Sequence, residues 1–461
     1  MTVPRTGHPL ARPHRRPRPG ARTAVPVAVL AVAVTLLASG CSAGGGSGDA
    51  AKVRPGESSG ARDGSGPIRP NWVGTWSAAP VDAEPDTYLR GHAGRTFRNV
   101  VHTSVGGTRI RVTLSNLFGR TPLHIGRATV GQAAGTDGTV SDAVRARGDG
   151  AGFRMAAAAP GSLVPLTFGG ADEVTIPPGD EVTSDAADLA VAADADVLVS
   201  TYSPESADPS GPVTRHPGAR QTSYAAEGDS TGDETGDTFT EETRSWRQLV
   251  AVDVFTDQAR GSVVAFGASI TDGFASTTDA NRRWTDFLAE RLRKSRSHRM
   301  GVLNAGIAGN RLLRNGTGPR ALDRFDRDVL SRTGVRVVVI QLGTNDILKA
   351  ARDPDPDTVV NALHALRKRA HARGIRVIGT TLPPFRGHRT YADSRESVRR
   401  SVNARIREGG VFDEVVDFDR VLRDPDAPSR LAPAFDSGDH LHPNDSGYAA
   451  MGRTFDLALL G

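Results

Sequence analysis

Between Asn71 and about Gln258, apolar residues recur at every second position and chain breakers recur at short intervals. Thr108–Leu114 alternates well, and Asp196–Ser200 and Gln248–Val252 repeat the pattern. Strict alternation marks strands with one buried face. Gly, Pro, Asn and Asp between them mark turns, and no convincing amphipathic helix intervenes. The expectation is an all-β sandwich or jelly-roll over 71–258. From Gly261 the pattern changes to continuous apolar runs separated by longer segments of helical period. The runs are Ser262–Gly267, Gly301–Asn304, Val335–Leu342, Ile375–Leu382 and Glu414–Phe418. Between them lie Arg282–Lys294, Ala321–Thr333, Thr358–Arg373 and Glu396–Glu408, and Gly447–Leu460 closes the chain. Such alternation predicts an α/β fold for 259–461, a parallel sheet with helices on both faces.

The first 70 residues read differently. Residues 1–41 hold six arginines and no acids, followed by an apolar run from Ala24 to Ala38 and then Ser39-Gly40-Cys41. Basic, apolar, then small residues is the layout of a secretory signal, and the run is shorter than the ~20 residues a spanning helix needs. Cys41 is the sole cysteine, so no disulfide forms within the chain. Its setting after Leu37-Ala38-Ser39-Gly40 resembles a bacterial lipobox, which implies lipidation at Cys41; a plain cleaved signal is the other reading. Residues 42–70 are rich in Gly, Ser and Pro without apolar periodicity, which predicts a flexible tether. The expected localisation is an exported, surface-anchored lipoprotein, otherwise a secreted protein.

Charge changes the picture by exclusion. The net +5 comes from 57 basic and 52 acidic residues; the leader removes six of the basic ones, leaving 51 against 52, a net of −1. No basic footprint for nucleic acid remains. The acidic stretch GDSTGDETGDTFTEET (228–243) matches no calcium-loop spacing and is expected to be a solvated loop. Trp72 and Trp76 fall on one face of a strand, suited to burial or to sugar stacking.

Candidate chemistry lies where the apolar runs end, since ligands of open parallel sheets bind beyond the strands' carboxyl ends. Ser269 follows the first run, in VVAFGASITDG. On this stretch alone it reads more readily as a turn residue than as a nucleophile. After the second run stands Asn304-Ala305-Gly306-Ile307-Ala308-Gly309, where glycine permits close backbone approach. After the third stands Gly343-Thr344-Asn345-Asp346, offering a carboxamide donor. Near the C-terminus is Asp439-His440-Leu441-His442-Pro443. An aspartate three residues before a histidine can hold its Nδ1–H and leave the other nitrogen to accept a serine proton. His440, His442 and Asp439 also raise a metal cluster, but no further ligand grouping completes one. No cofactor motif competes, because GASITDG lacks a P-loop's Gly-Lys-Ser/Thr and no G-x-G-x-x-G follows a strand. Nor is Ser269 in a G-x-S-x-G elbow.

Taken together these four blocks resemble the SGNH (GDSL-like) hydrolase superfamily, over roughly Gly261–Gly461. The stretches NWVGTWSAAP, RIRVTLSNLFG, HPGARQTSY, NAGIAGNRLL, FDRDVL and DSGDHLHPNDSGY are similar, more narrowly, to secreted two-domain bacterial esterases of that superfamily. The resemblance implies a flavodoxin-like three-layer α/β/α domain with a five-stranded parallel sheet, and serine esterase activity without cofactor or metal. It implies Ser269 as nucleophile, His442 as general base, Asp439 as orienting acid, and an oxyanion hole from the Ser269 and Gly309 N–H groups with the Asn345 side chain. The implied substrates are carboxylic esters of carbohydrates or lipids. A lipase-type acylhydrolase and a glycan-binding protein with weakened catalysis are the alternatives. Ala268 stands where the family's Asp is usual; that change touches none of the proton-transfer groups.

Overall fold

The computed structural model describes residues 68–82, 93–135, 156–204, 212–295 and 297–460. Cys41, the signal-like run and most of the 42–70 tether lie outside these residues.

The N-terminal region is built from antiparallel strands. One sheet has four, in the order Asn71–Ser77, Leu249–Thr256, Arg109–Ser115, Glu181–Thr183. A second has six, in the order Glu241–Thr243, Ser223–Glu227, Arg95–His102, Asp196–Ser203, Arg127–Gln132, Val164–Pro165, and two strand pairs, Arg215–Pro217 with Ser245–Arg247 and Leu123–Ile125 with Val174–Ile176, stand beside them. The alternation has its physical cause here, because the inner faces of both sheets bury one shared core. Val73, Ile110, Val112, Leu114, Val252 and Val254 from the first meet Val101, Val130, Val197 and Val199 from the second. This is sheet-on-sheet packing.

The C-terminal region carries a five-stranded sheet, all parallel, in the spatial order Gly301–Gly306, Ser262–Gly267, Val335–Gln341, Arg376–Thr380, Glu414–Val416. Its strands read as unbroken apolar runs because helices cover both faces: Val264, Ile340 and Val377 enter one core, and Val263, Val339 and Ile378 the other. The helices Trp284–Lys294, Pro356–His371, Asp393–Glu408 and Asp445–Thr454 fall close to the predicted segments. Two differ. The expected helix Ala321–Thr333 is an α-turn, Ala321–Phe325, that widens into a π-helical turn, Asp326–Leu330. The last helix stops at Thr454, and a 3-10 turn Leu457–Leu460 follows.

The two regions share one compact unit, Asp63–Gly461. Strand Asn71–Ser77 lies directly against the edge strand Gly301–Gly306 of the parallel sheet. A Cβ at Gly301 would come 2.0 Å from the Gly74 carbonyl oxygen, so only glycine fits between these backbones. The edge groups find side-chain partners: Val302 N–H donates to Ser104 Oγ (2.8 Å) and the Asn304 carbonyl accepts from Ser77 Oγ (3.2 Å). An otherwise unpaired sheet edge is thereby covered. The two tryptophans have separate partners. A bulge falls between Gly74 and Trp76; Trp72 packs on Phe255 and under the Arg111 guanidinium, whereas Trp76 is buried edge-on against Trp246. In the acidic stretch, Asp233 folds its own loop, accepting from the backbone N–H and hydroxyl of both Thr235 and Thr238.

Candidate active site

Three strand ends and one C-terminal loop converge. Strand Ser262–Gly267 runs into a single helical turn, Ser269–Asp272, with Ser269 at its first position. Close packing forces glycine just before it: a Cβ at Gly267 would come 2.0 Å from Thr271 Oγ1. Ala268 is 8% exposed and belongs to the larger apolar cluster of the parallel sheet, so the position of the family's usual acid is filled by packing.

His442 lies in the loop before helix Asp445–Thr454, and its Nε2 is 2.8 Å from Ser269 Oγ. Its Nδ1 is 2.5 Å from Asp439 Oδ2. The other carboxylate oxygen, Oδ1, accepts from the backbone N–H of Leu441 (2.9 Å) and of His442 (2.8 Å). Partial burial works against the Asp439 charge. The His442 side chain and backbone N–H nevertheless hold its carboxyl well below the usual carboxylate range. Asp439 therefore stays ionised, able to fix the imidazole tautomer and to stabilise an imidazolium. His440 does not join this chain; its Nδ1 pairs with Asp436 Oδ2 at 2.6 Å and it is exposed.

The second block forms a loop held on three sides. Ile307 N–H donates to the Gly267 carbonyl (3.2 Å), Ala308 N–H to Asp272 Oδ2 (2.9 Å), and the Asn304 carboxamide to the Thr271 carbonyl (2.6 Å). Gly309 takes φ +80°, a left-handed conformation open to glycine without strain. The third block places Asn345 in the short helix Thr344–Leu348, which begins after Gly343 at φ +119°. Asn345 and Ser269 line one small recess with Leu342, Gly343 and Leu441. Asp346, beside it, accepts from Leu312 N–H (2.7 Å) and Leu313 N–H (2.9 Å), tying the third block to the second. Burial pushes the Asp346 carboxyl up, against those two N–H groups.

Several contributors escaped sequence reasoning. Arg324, fully buried, donates to the Gly267 carbonyl (2.8 Å), the Ala305 carbonyl (2.9 Å), Asn310 Oδ1 (3.0 Å) and Asp328 Oδ2 (2.8 Å). One guanidinium thus ties the carboxyl ends of the two strands that precede Ser269 and Gly309. The available signal was slight: Arg324 stands just before the stretch FDRDVL, four residues ahead of its Asp328, a spacing equally normal for a solvated helix face. Removing one partner of a buried ion pair is strongly destabilising. Arg324→Met is expected to lower unfolding free energy by about 3–5 kcal/mol, seen in urea melts as a lower midpoint at unchanged slope. A loss below ~1 kcal/mol, the scale of one ordinary hydrogen bond, would show that the tie carries no such weight. Phe274, 47% exposed, sets its ring 4.5 Å from that of His442. Lys349 Nζ donates to the Gly309 carbonyl at 3.0 Å.

Residues 265–450 match the model of the GDSL-like lipase/acylhydrolase family. Among solved structures, a GDSL-like lipase from Bacteroides thetaiotaomicron is 24% identical, over 43% of this chain and 87% of its own, with a TM-score of 0.33. The aryl esterase of M. smegmatis is 16% identical, over 42% and 94%, with a TM-score of 0.33. A family two carbohydrate esterase from Clostridium thermocellum, solved with cellohexaose, is 14% identical, over 83% and 96%, with a TM-score of 0.34. No curated protein matches the chain.

Proposed function

Residues 265–450 form a GDSL-like lipase/acylhydrolase domain and the chain is a carboxylic ester hydrolase; from that premise we propose a serine esterase of short acyl groups, acting outside the cytoplasm through an acyl-enzyme. The observation that carries it is the hydrogen-bonded chain Asp439–His442–Ser269. His442 Nε2 takes the Ser269 proton as Oγ attacks the ester carbonyl. The resulting oxyanion is met by the N–H groups of Ser269 and Gly309 and by the Asn345 carboxamide. Donors fixed before the charge develops cost no reorganisation during the reaction. His442 then protonates the leaving alcohol, and a water repeats the sequence to release the acid.

The recess beside Ser269 and Asn345 supports short acyl groups. It is narrow, with Leu342 and Leu441 in its wall, which favours an acetyl group over a long chain. Activity on p-nitrophenyl esters is expected to be highest for acetate and to fall steadily through butyrate and octanoate. A maximum at octanoate or beyond would instead favour the lipase-type reading. An inert protein that bound acetylated xylan would favour a glycan-binding role.

The proposed setting is the cell surface, with Cys41 lipidated and 42–70 serving as tether. The support is the order of basic, apolar and small residues before the sole cysteine. Wild type is expected to incorporate labelled fatty acid and to sediment with membranes, and Cys41→Ala to do neither. Equal release of both forms into the medium would contradict the anchor.

A further inference from the structure

The turn that starts with Ser269 ends with Asp272, and this carboxylate faces two ways. Its Oδ2 accepts from Ala308 N–H at 2.9 Å, one residue before Gly309. Its Oδ1 is 2.9 Å from Nε2 of His216, which lies on strand Arg215–Pro217 of the β-rich region. His216 is 3% exposed, and its Nδ1 is 2.8 Å from the Ala79 carbonyl oxygen. A carbonyl and a carboxylate oxygen both accept, so both ring nitrogens must donate and the ring is an imidazolium. Burial opposes that charge, as does Arg283; the Asp272 carboxylate and the Ala79 carbonyl outweigh them and raise the His216 pKa. Trp246 covers the ring at 5.3 Å. Arg283 adds a second strut, donating from Nε to the Asp272 carbonyl (3.1 Å) and also to the Ala219 carbonyl.

The His216 and Arg283 contacts meet the turn that carries Ser269 N–H, and through Asp272 the loop that carries Gly309 N–H. Resting on the serine-esterase reading above, we propose that His216 is a positioning residue for the oxyanion hole: through Asp272 it sets the Ala308–Gly309 loop against the nucleophile turn so that the two backbone donors converge. The β-rich region then does more than cover a sheet edge, because it supplies the cation that fixes the distance between those donors. An unpaired Asp272 would be a buried carboxylate without its counter-charge, free to turn from Ala308 toward water. Loosening one donor's support costs less than deleting a donor, which typically costs 10²–10³ in kcat.

The test uses the full chain, titrated with a fluorophosphonate so that rates are expressed per reactive Ser269. His216→Ala and Asp272→Asn are each expected to lower kcat per titrated site by about 10–100-fold, a fraction of that donor loss, with KM within about threefold. The double variant is expected to be little worse than either single, since both break one chain of contacts. His216→Gln, able to donate one neutral hydrogen bond to Asp272, is expected to recover part of the loss and provides a second reading should His216→Ala fold poorly. Variants that merely lower Tm or the titratable fraction, with kcat per site within twofold of wild type, would overturn the inference, as would a rise in KM at constant kcat. A wild type that does not titrate at Ser269 would overturn the serine-esterase reading and this inference with it.

Discussion

Ser269→Ala and His442→Ala are each expected to abolish nearly all ester hydrolysis, with kcat falling by up to ~10⁶, the loss seen when one member of a catalytic triad is removed. The size follows from the contact itself. His442 Nε2 lies 2.8 Å from Ser269 Oγ; in the proposed mechanism it takes the serine proton, and an un-ionised hydroxyl is a poor nucleophile. Neither residue can work without the other, so the double variant is expected to be hardly slower than either single. Asp439→Asn should be milder than Ser269→Ala, because it leaves both reacting groups but loses the acceptor that fixes the Nδ1–H tautomer. Steady-state rates of the four proteins on p-nitrophenyl acetate check this. Losses that multiplied in the double variant would mean that the two side chains act independently.

Asn345→Ala is the second large effect, a fall of ~10²–10³ in kcat with substrate binding little changed, as for loss of one oxyanion donor. Asn345 is 8% exposed at the start of its short helix and shares a recess with Ser269. The neighbouring Asp346 keeps that helix in place through Leu312 and Leu313 whether or not the carboxamide is present. Fold and catalysis should therefore separate: unchanged circular dichroism with lowered kcat. A kcat within about threefold of wild type would remove Asn345 from the oxyanion hole.

Much of this was legible in the chain because parallel strands buried on both faces leave a plain trace. Val263–Phe266 and Val337–Ile340 are fully buried, and their runs read as strands at once. Helix Pro356–His371 begins two residues before the expected Thr358, because Asp355 caps it by accepting from Asp357 N–H and Pro356 takes the first position. Ser269, Gly309 and Asn345 were visible as small or polar residues shortly after an apolar run, and Asp439 and His442 by their three-residue spacing near the C-terminus. What was hidden depends on contacts distant in sequence. Arg324 and Asp328 have the spacing of a surface pair but lie in the core, because the carbonyls of Gly267 and Ala305 need a donor there. The π-turn beginning at Asp326 carries the buried Asp328, and no helical period announces it. His216 stands 56 residues before Asp272 in another pattern of strands, and only the docked regions reveal why it is histidine. The resemblance of HPGARQTSY to related chains flagged the stretch without a reason; in this structure its His216 pairs with the buried Asp272.

The serine-esterase account is tested most directly by mapping a fluorophosphonate adduct with mass spectrometry. Wild type is predicted to gain one phosphonyl group, on Ser269 within the peptide containing Gly267–Gly273, while Ser269→Ala gains none and loses hydrolysis. An adduct on another serine, or undiminished hydrolysis by Ser269→Ala, would contradict it.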